Sequence, residues 1–323
     1  MSVIVRDTLD REPRMMRDVY CSTLVNLAAT DTRIMALDAD LMGSSGMKPF
    51  LEKYPDRFIN CGIAEANMVG VAAGLSAAGR IPFAHSFGVF ASRRICDQLF
   101  MSAAFADLNV RIVGTDPGVT AAFNGGTHMP LEDMAVLRAI PGVTLVEPTD
   151  AVQLEALIPQ MVENHGVFYL RLARKNAVSI FAPGSRFTIG KGVTLRDGQD
   201  VTLIASGIMT AEALKAARLL SELGISARVV NLFTWKPLDV ELIEACARQT
   251  GAIVTCENHN IIGGLGGAVC ETLCETYPVP VERIGTHDEF GEVGPVDYLC
   301  SRFHLNDVDI AAAARRVIDR KQA

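Results

Sequence analysis

The chain has 323 residues, 49% of them apolar, and a formal net charge of −7. That length gives material for about two domains with real cores, and the apolar share excludes a disordered chain. The acidic balance argues against nucleic acid as the main partner, because phosphate binding wants a basic face.

The N-terminal stretch "MSVIVRDTLDREPRMMRDVY" carries acids and lacks an apolar core, so no secretory signal is expected. The longest apolar runs are broken well short of ~18 residues, so no membrane span is expected either. The 8 cysteines are scattered without a Cys-x-x-Cys pair, and Cys270 and Cys274 fall on one helical face. All read as reduced core thiols of a cytoplasmic protein.

Along the chain, strands are predicted at 33–40, 81–87, 109–116, 143–150 and 166–173. Helices are predicted between them at 64–79, 92–107, 131–140 and 151–164. Strand followed by helix implies a parallel sheet covered on both faces. The stretch "APGSRFTIGKGVTLRDGQD" (182–200) is rich in Gly and polar residues and reads as a linker. A second alternation follows, with strands at 201–207, 227–233, 252–258 and 281–286 and helices at 210–223, 239–250 and 266–276. The expected fold is α/β in two domains, 1–185 and 195–323, each a mostly parallel sheet between helices.

Several stretches invite a chemical reading. "NIIGGLGGAVCE" (260–271) joins a strand to a helix as a dinucleotide-binding turn does, but Val269 replaces the last small residue. A tight packed turn is the preferred reading. Glu65 stands at the head of the small-residue helix "AEANMVGVAAGLSAAG". An acid there either faces water or faces a partner. His128, in "FNGGTHMPLED", lies on a loop beside the sheet, where open α/β sheets place their chemistry. A surface histidine fits equally well. Phe87 and Phe90 are three apart in "HSFGVF" and form either a core face or a platform for a flat ring. Arg171 and Arg174 end a strand as solvated charges or as contacts for an anion.

Six stretches in order, "LDADLMGS", "INCGIAEANMVGVAAGLSAAGRIPFAHSFGVFASRR", "GGTHMPLEDMAVLRAIPGVTLVEPTD", "YLRLARKNAV", "VNLFTWKPLD" and "ENHNIIGGLGGAV", resemble the C-terminal half of the transketolases. The likeness is nearest to the split form encoded as two chains. The first half resembles the pyrimidine-binding domain of thiamine-diphosphate enzymes, the second the transketolase C-terminal domain. The resemblance implies transfer of a two-carbon ketol unit from a ketose to an aldose, on sugars or sugar phosphates. It implies that Glu65 contacts N1′ of the cofactor's aminopyrimidine and takes part in its proton transfer. Phe87 and Phe90 resemble the aromatic wall of that pocket, whose third aromatic is replaced by Arg93. Asp40 matches an acid near the cofactor. Ser44 and Arg174 match contacts to the substrate's phosphate, and His128 matches a histidine at the substrate's reacting end.

Two positions depart from the pattern. Asp116 stands where a phosphate-binding histidine is usual, and Asn124 where an acid reads a substrate hydroxyl. An aspartate facing a phosphate repels it, so the substrate need not be an ordinary sugar phosphate. A subunit of the 2-oxo-acid dehydrogenase type, a deoxyxylulose-phosphate-synthase-like subunit or a non-catalytic paralogue are the alternatives. The Gly-Asp-Gly element that holds the diphosphate and Mg²⁺ has no counterpart beyond "RDGQD" (196–200). The cofactor's metal end is therefore expected on a separate subunit, in an α2β2 assembly built on a self-dimer of this chain, and no metal ligand is assigned here. Calorimetry should accordingly detect no Mg²⁺-dependent binding of thiamine diphosphate to this chain alone; micromolar binding would remove the need for a second subunit.

Overall fold

The computed structural model describes residues 3–322; Met1, Ser2 and Ala323, inside the expected domain bounds, lie outside the described residues. Two sheets organise the chain. The first contains the parallel strands β1 (Ile34–Asp38), β2 (Phe58–Asn60), β3 (Ile81–Phe87), β4 (Arg111–Thr115), β5 (Val143–Val146) and β6 (Val167–Leu172). The second contains β7 (Val193–Arg196), β8 (Val201–Ala205) and β9 (Ala227–Asn231), followed after an interruption by β11 (Ile253–Asn260) and β12 (Val281–Thr286). The interruption is β10 (Thr234–Lys236), which leaves its own half and pairs antiparallel with β5. The orders are β10-β5-β6-β4-β3-β1-β2 and β12-β11-β8-β9-β7. Every residue of β1, β4, β6 and β8 is buried, as expected of central parallel strands covered on both faces.

The structure corrects several expectations. The stretch 182–200 is not all linker, since β7 lies in it and closes the second sheet antiparallel to β9. The helix expected over 92–107 is three successive turns of different winding: 3₁₀ at Arg93–Ile95, α at Cys96–Gln98 and π at Leu99–Ala104. Helices Met16–Thr30, Val296–Arg302 and Asp307–Gln322 were not foreseen. Cys274 is exposed rather than in the core, while Cys21, Cys246 and Cys256 are buried. Among the described residues no helix is long and apolar enough to cross a membrane.

One buried polar group ties β1 and β3 to the first helix. His85 bonds the Leu37 carbonyl through Nδ1 (2.7 Å) and the Tyr20 hydroxyl through Nε2 (2.8 Å). A neutral ring satisfies both, donating from Nδ1 and accepting at Nε2. Burial pushes its pKa down to about 4. Between that value and the ordinary ~6.5, the unfolded chain binds a proton that the folded one refuses, so this contribution falls as pH falls through the window. His85→Gln should remove about 1.4 kcal/mol per pH unit from the acid side of the stability curve. Urea unfolding between pH 4.5 and 7 reads this; an unchanged slope would show that the folded ring titrates normally.

Candidate active site at the carboxyl ends of the first sheet

β6, β4, β3 and β1 are neighbours running in one direction. Their carboxyl ends lie along one edge, where open parallel sheets hold ligands. Phe87 ends β3, Asp116 follows β4, Arg174 follows β6 by two residues, and Asp40 follows β1 by two. Asp40 and Asp116 both adopt left-handed backbone, with φ of 62° and 59°. That region costs a non-glycine residue energy, and such strain concentrates at functional sites.

The loop after β1 is held by the buried Asp38. Its carboxylate accepts from the Leu41 amide and, at 2.8 Å, from the Ser45 hydroxyl. Burial outweighs these bonds and pushes Asp38 up to about 6. The loop presents Ser44, and Asp40 accepts from Asn60 Nδ2 at 3.0 Å.

Glu65 opens the helix Glu65–Ala77 and is 4% exposed. Its carboxylate does not face water. Arg94 Nη1 donates to both oxygens, at 2.9 and 3.0 Å, and the Ser86 hydroxyl lies 3.4 Å from Oε1. The Arg94 guanidinium carbon also lies over the Phe90 ring, 3.7 Å from its centroid. Phe87 and Phe90 are half-buried, with centroids 6.2 Å apart. His128 stands edge-on to both, at 5.9 and 5.3 Å, with its Nδ1 2.9 Å from the Thr127 hydroxyl. On the far side, the Arg174 guanidinium carbon is 5.5 Å from the Phe87 centroid. Contacts therefore run unbroken from Glu65 through Arg94, Phe90, His128, Phe87 and Arg174 to Asp116. Asn124 is exposed on the loop that carries His128.

Asp116 is 1% exposed and faces Arg174. Arg174 Nε donates to Oδ1 at 3.1 Å, and Nη2 lies 2.8 Å from Oδ2, an ion contact off the hydrogen-bonding direction. Burial pushes Asp116 up, against the downward pull of Arg174, Lys175 and Arg17.

The second domain sets the His128 loop. Asn258 donates to the Pro117 carbonyl and accepts from the Val119 amide, both at 2.9 Å. Gly126 packs so close to Gly291 that a Cβ there would stand 2.1 Å from the Gly291 carbonyl oxygen. Arg171 is neither a solvated charge nor an anion contact: it is fully buried among Asp133, Glu147 and two carbonyls. Arg93 pairs with Glu132 at 3.1 Å. The glycine-rich turn at 263–267 spends the Leu265 and Gly266 amides on Glu257, which burial pushes up to about 8. Those two amides at the helix start are spent on an internal acid rather than left for a nucleotide phosphate, and the packed-turn reading describes the turn.

Arg94 and Arg17 escaped the sequence reading. Arg17 sits on the unforeseen first helix, its amide bonded to the Arg174 carbonyl and its guanidinium to the Ser44 carbonyl. Arg94 stands four residues after Phe90, in the 3₁₀ turn Arg93–Ile95, which no periodic pattern in the sequence announces.

The sequence profile "Transketolase, pyrimidine binding domain" matches residues 12–178, and "Transketolase, C-terminal domain" matches 190–310. The chain belongs to the transketolase family. It is 52% identical over 310 residues to a 6-deoxy-6-sulfo-D-fructose transketolase subunit of Clostridium sp. (strain MSTE9), covering 96% of each chain. A putative transketolase C-terminal section of Methanocaldococcus jannaschii is 41% identical over 92% of this chain and 94% of its own. Among solved structures, a split gene transketolase described as an inactive beta4 tetramer matches with TM-score 0.89 and 43% identity, over 95% of this chain and 99% of that one.

The family implies thiamine diphosphate, and the residues present fit its pyrimidine end. The Arg94 guanidinium shows that a flat, nitrogen-bearing donor can lie on Phe90 while bonding Glu65. This transketolase-family chain thus offers an aromatic face and a buried carboxylate in the arrangement an aminopyrimidine needs.

Proposed function

We propose that this chain is the pyrimidine-binding subunit of a two-chain transketolase, completed by a separate subunit that holds the diphosphate and Mg²⁺. The observation that carries the reading is the buried Glu65 carboxylate, joined through Arg94 to the face of Phe90, at the carboxyl edge of a parallel sheet. Thiamine diphosphate, when bound, supplies the electron sink that lets a ketose carbon–carbon bond break. The chain's own residues do the rest. Phe90 and Phe87 orient the flat ring. Glu65 holds and exchanges a proton at the ring nitrogen, a task suited to an acid shielded from water. His128, fixed against both phenylalanines, contacts the substrate's reacting end. Arg174 and Ser44 meet its far end, with Asp40 near the cofactor.

Glu65→Gln keeps the side-chain volume and a hydrogen-bonding group but cannot exchange that proton. In the completed complex, exchange of the cofactor's C2 proton should slow by ~10²–10⁴, followed by NMR after acid quench, with assembly intact. Exchange at the unmodified rate would reduce Glu65 to a packed acid.

The substrate's far end carries a single negative charge on this reading, as a sulfonate does. Asp116 already occupies one side of Arg174, which weakens the pull on a dianion and adds repulsion. The 52% identical relative is named for a sulfo-sugar. A phosphate monoester becomes singly charged only below its second pKa of ~6. For the completed enzyme at pH 7.5, KM should therefore be lower for a sulfonated ketose than for the phosphorylated one, with the gap closing near pH 5.5. Asp116→Asn should lower KM for the phosphorylated ketose at pH 7.5. Equal KM values at both pH values would remove Asp116 from specificity.

A further inference from the structure

We propose that Arg94 is an internal plug, which occupies in the free chain both contacts that an aminopyrimidine needs and must release Glu65 before the ring can bind. The inference rests on the reading of Glu65 and Phe90 given above. Arg94 makes two contacts at once. One is donation from Nη1 to both Glu65 oxygens, at 2.9 and 3.0 Å. The other is a stack of its flat cation on Phe90, 3.7 Å from the centroid. An aminopyrimidine would use the same carboxylate and the same aromatic face. Two planar groups cannot lie on one side of one ring and donate to one carboxylate together, so occupancy is exclusive.

The two partners differ in freedom. Glu65 is 4% exposed and starts a helix, so it cannot turn to water. A buried carboxylate left without a partner is costly, and Arg94 removes that cost while the site awaits its ligand. Arg94 itself is 47% exposed and stands in the irregular turns of 93–104, so it can swing into solvent when displaced. Its neighbour Arg93 does not share the task, because Arg93 is held by Glu132 at 3.1 Å. Arg94 is a gating residue here, distinct from the groups that touch substrate.

The test uses the full chain without its partner and the probe 4-amino-5-hydroxymethyl-2-methylpyrimidine, titrated by NMR. Arg94→Ala should bind the probe at least ten times more tightly than the wild-type chain. Arg94→Lys, which can pair with Glu65 but cannot stack as a plane, should fall between. Equal or weaker binding by Arg94→Ala overturns the plug. In case the alanine variant fails to fold, the wild-type chain carries a second readout. Its Arg94 Cζ signal, shifted in the free chain by the Phe90 ring whose centroid is 3.7 Å away, should move to the position of a free arginine once the probe is bound. An Arg94 signal that keeps this shift with the probe in place overturns the plug as well. Equal binding of the probe by all three proteins overturns the plug alone, whereas no binding by any of them overturns the plug together with the assignment of Glu65 and Phe90 to the cofactor ring.

Discussion

The two domains and the active-site loop depend on one buried cation. Arg171, at 0% exposure, donates to Asp133 from Nε and Nη2, to Glu147 from Nη1 at 2.6 Å, and to the carbonyls of Pro130 and Asn258 at 3.0 Å each. Burial alone would lower its pKa, but Asp133 and Glu147 hold it up. Asp133 and Glu147 belong to the first domain and Asn258 to β11 of the second. A buried charge is tolerable only with its hydrogen bonds complete, and removing one partner of such a pair costs about 3–5 kcal/mol. The network widens through Tyr169, which donates to Asp133, and through Ser206, which links Glu147 to Trp235. The strand that carries Trp235, β10, is the one that crosses into the first sheet.

This bolt, together with the buried Val119, Ala121 and Met129, explains how the loop between Pro117 and Pro130 keeps a defined shape. The Pro130 carbonyl, taken by Arg171, fixes one end of the loop; Asn258 fixes the other at Pro117 and Val119. Between these two ends stand Asn124 and His128. The second domain adds no side chain to the row from Glu65 to Asp116, yet it sets where His128 stands against the two phenylalanines. Its contribution to the chemistry is placement, through an amide side chain and a glycine-to-glycine contact.

Much of this was legible beforehand because parallel sheets impose it. Strand–helix alternation brings the carboxyl ends of β1, β3, β4 and β6 to one edge, and there stand Asp40, Phe87, Asp116 and Arg174, which the transketolase resemblance had picked out. The unread parts have local causes. Helix Met16–Thr30 has only a weakly one-sided apolar face, so its period is hard to see. β7 and β10 are three or four residues long and antiparallel, below the reach of period counting. The winding of 93–104 through three helix types has no pattern signal, and with it went the position of Arg94. Arg171 was misread because an arginine at a strand end looks the same whether it points to water or to two acids brought by other elements.

The same accounting of charge links the bolt to the site. Three charged groups at the site are already answered in the free chain: Glu65 by Arg94, Asp116 by Arg174 and Arg93 by Glu132. The difference lies in solvent. Around Arg171 both partners are sealed, so the pairs are permanent. At the sheet edge one partner of each pair remains at least partly exposed, with Arg94 and Arg93 near half and Arg174 at 17%. The exposed partner can return to water when displaced, so releasing it costs less than breaking a sealed pair. Such a pair keeps a buried acid satisfied while the site is empty, and a ligand that brings its own hydrogen bonds can replace the partner at small cost. The sealed pairs hold the framework, and the half-exposed ones leave the site able to exchange partners.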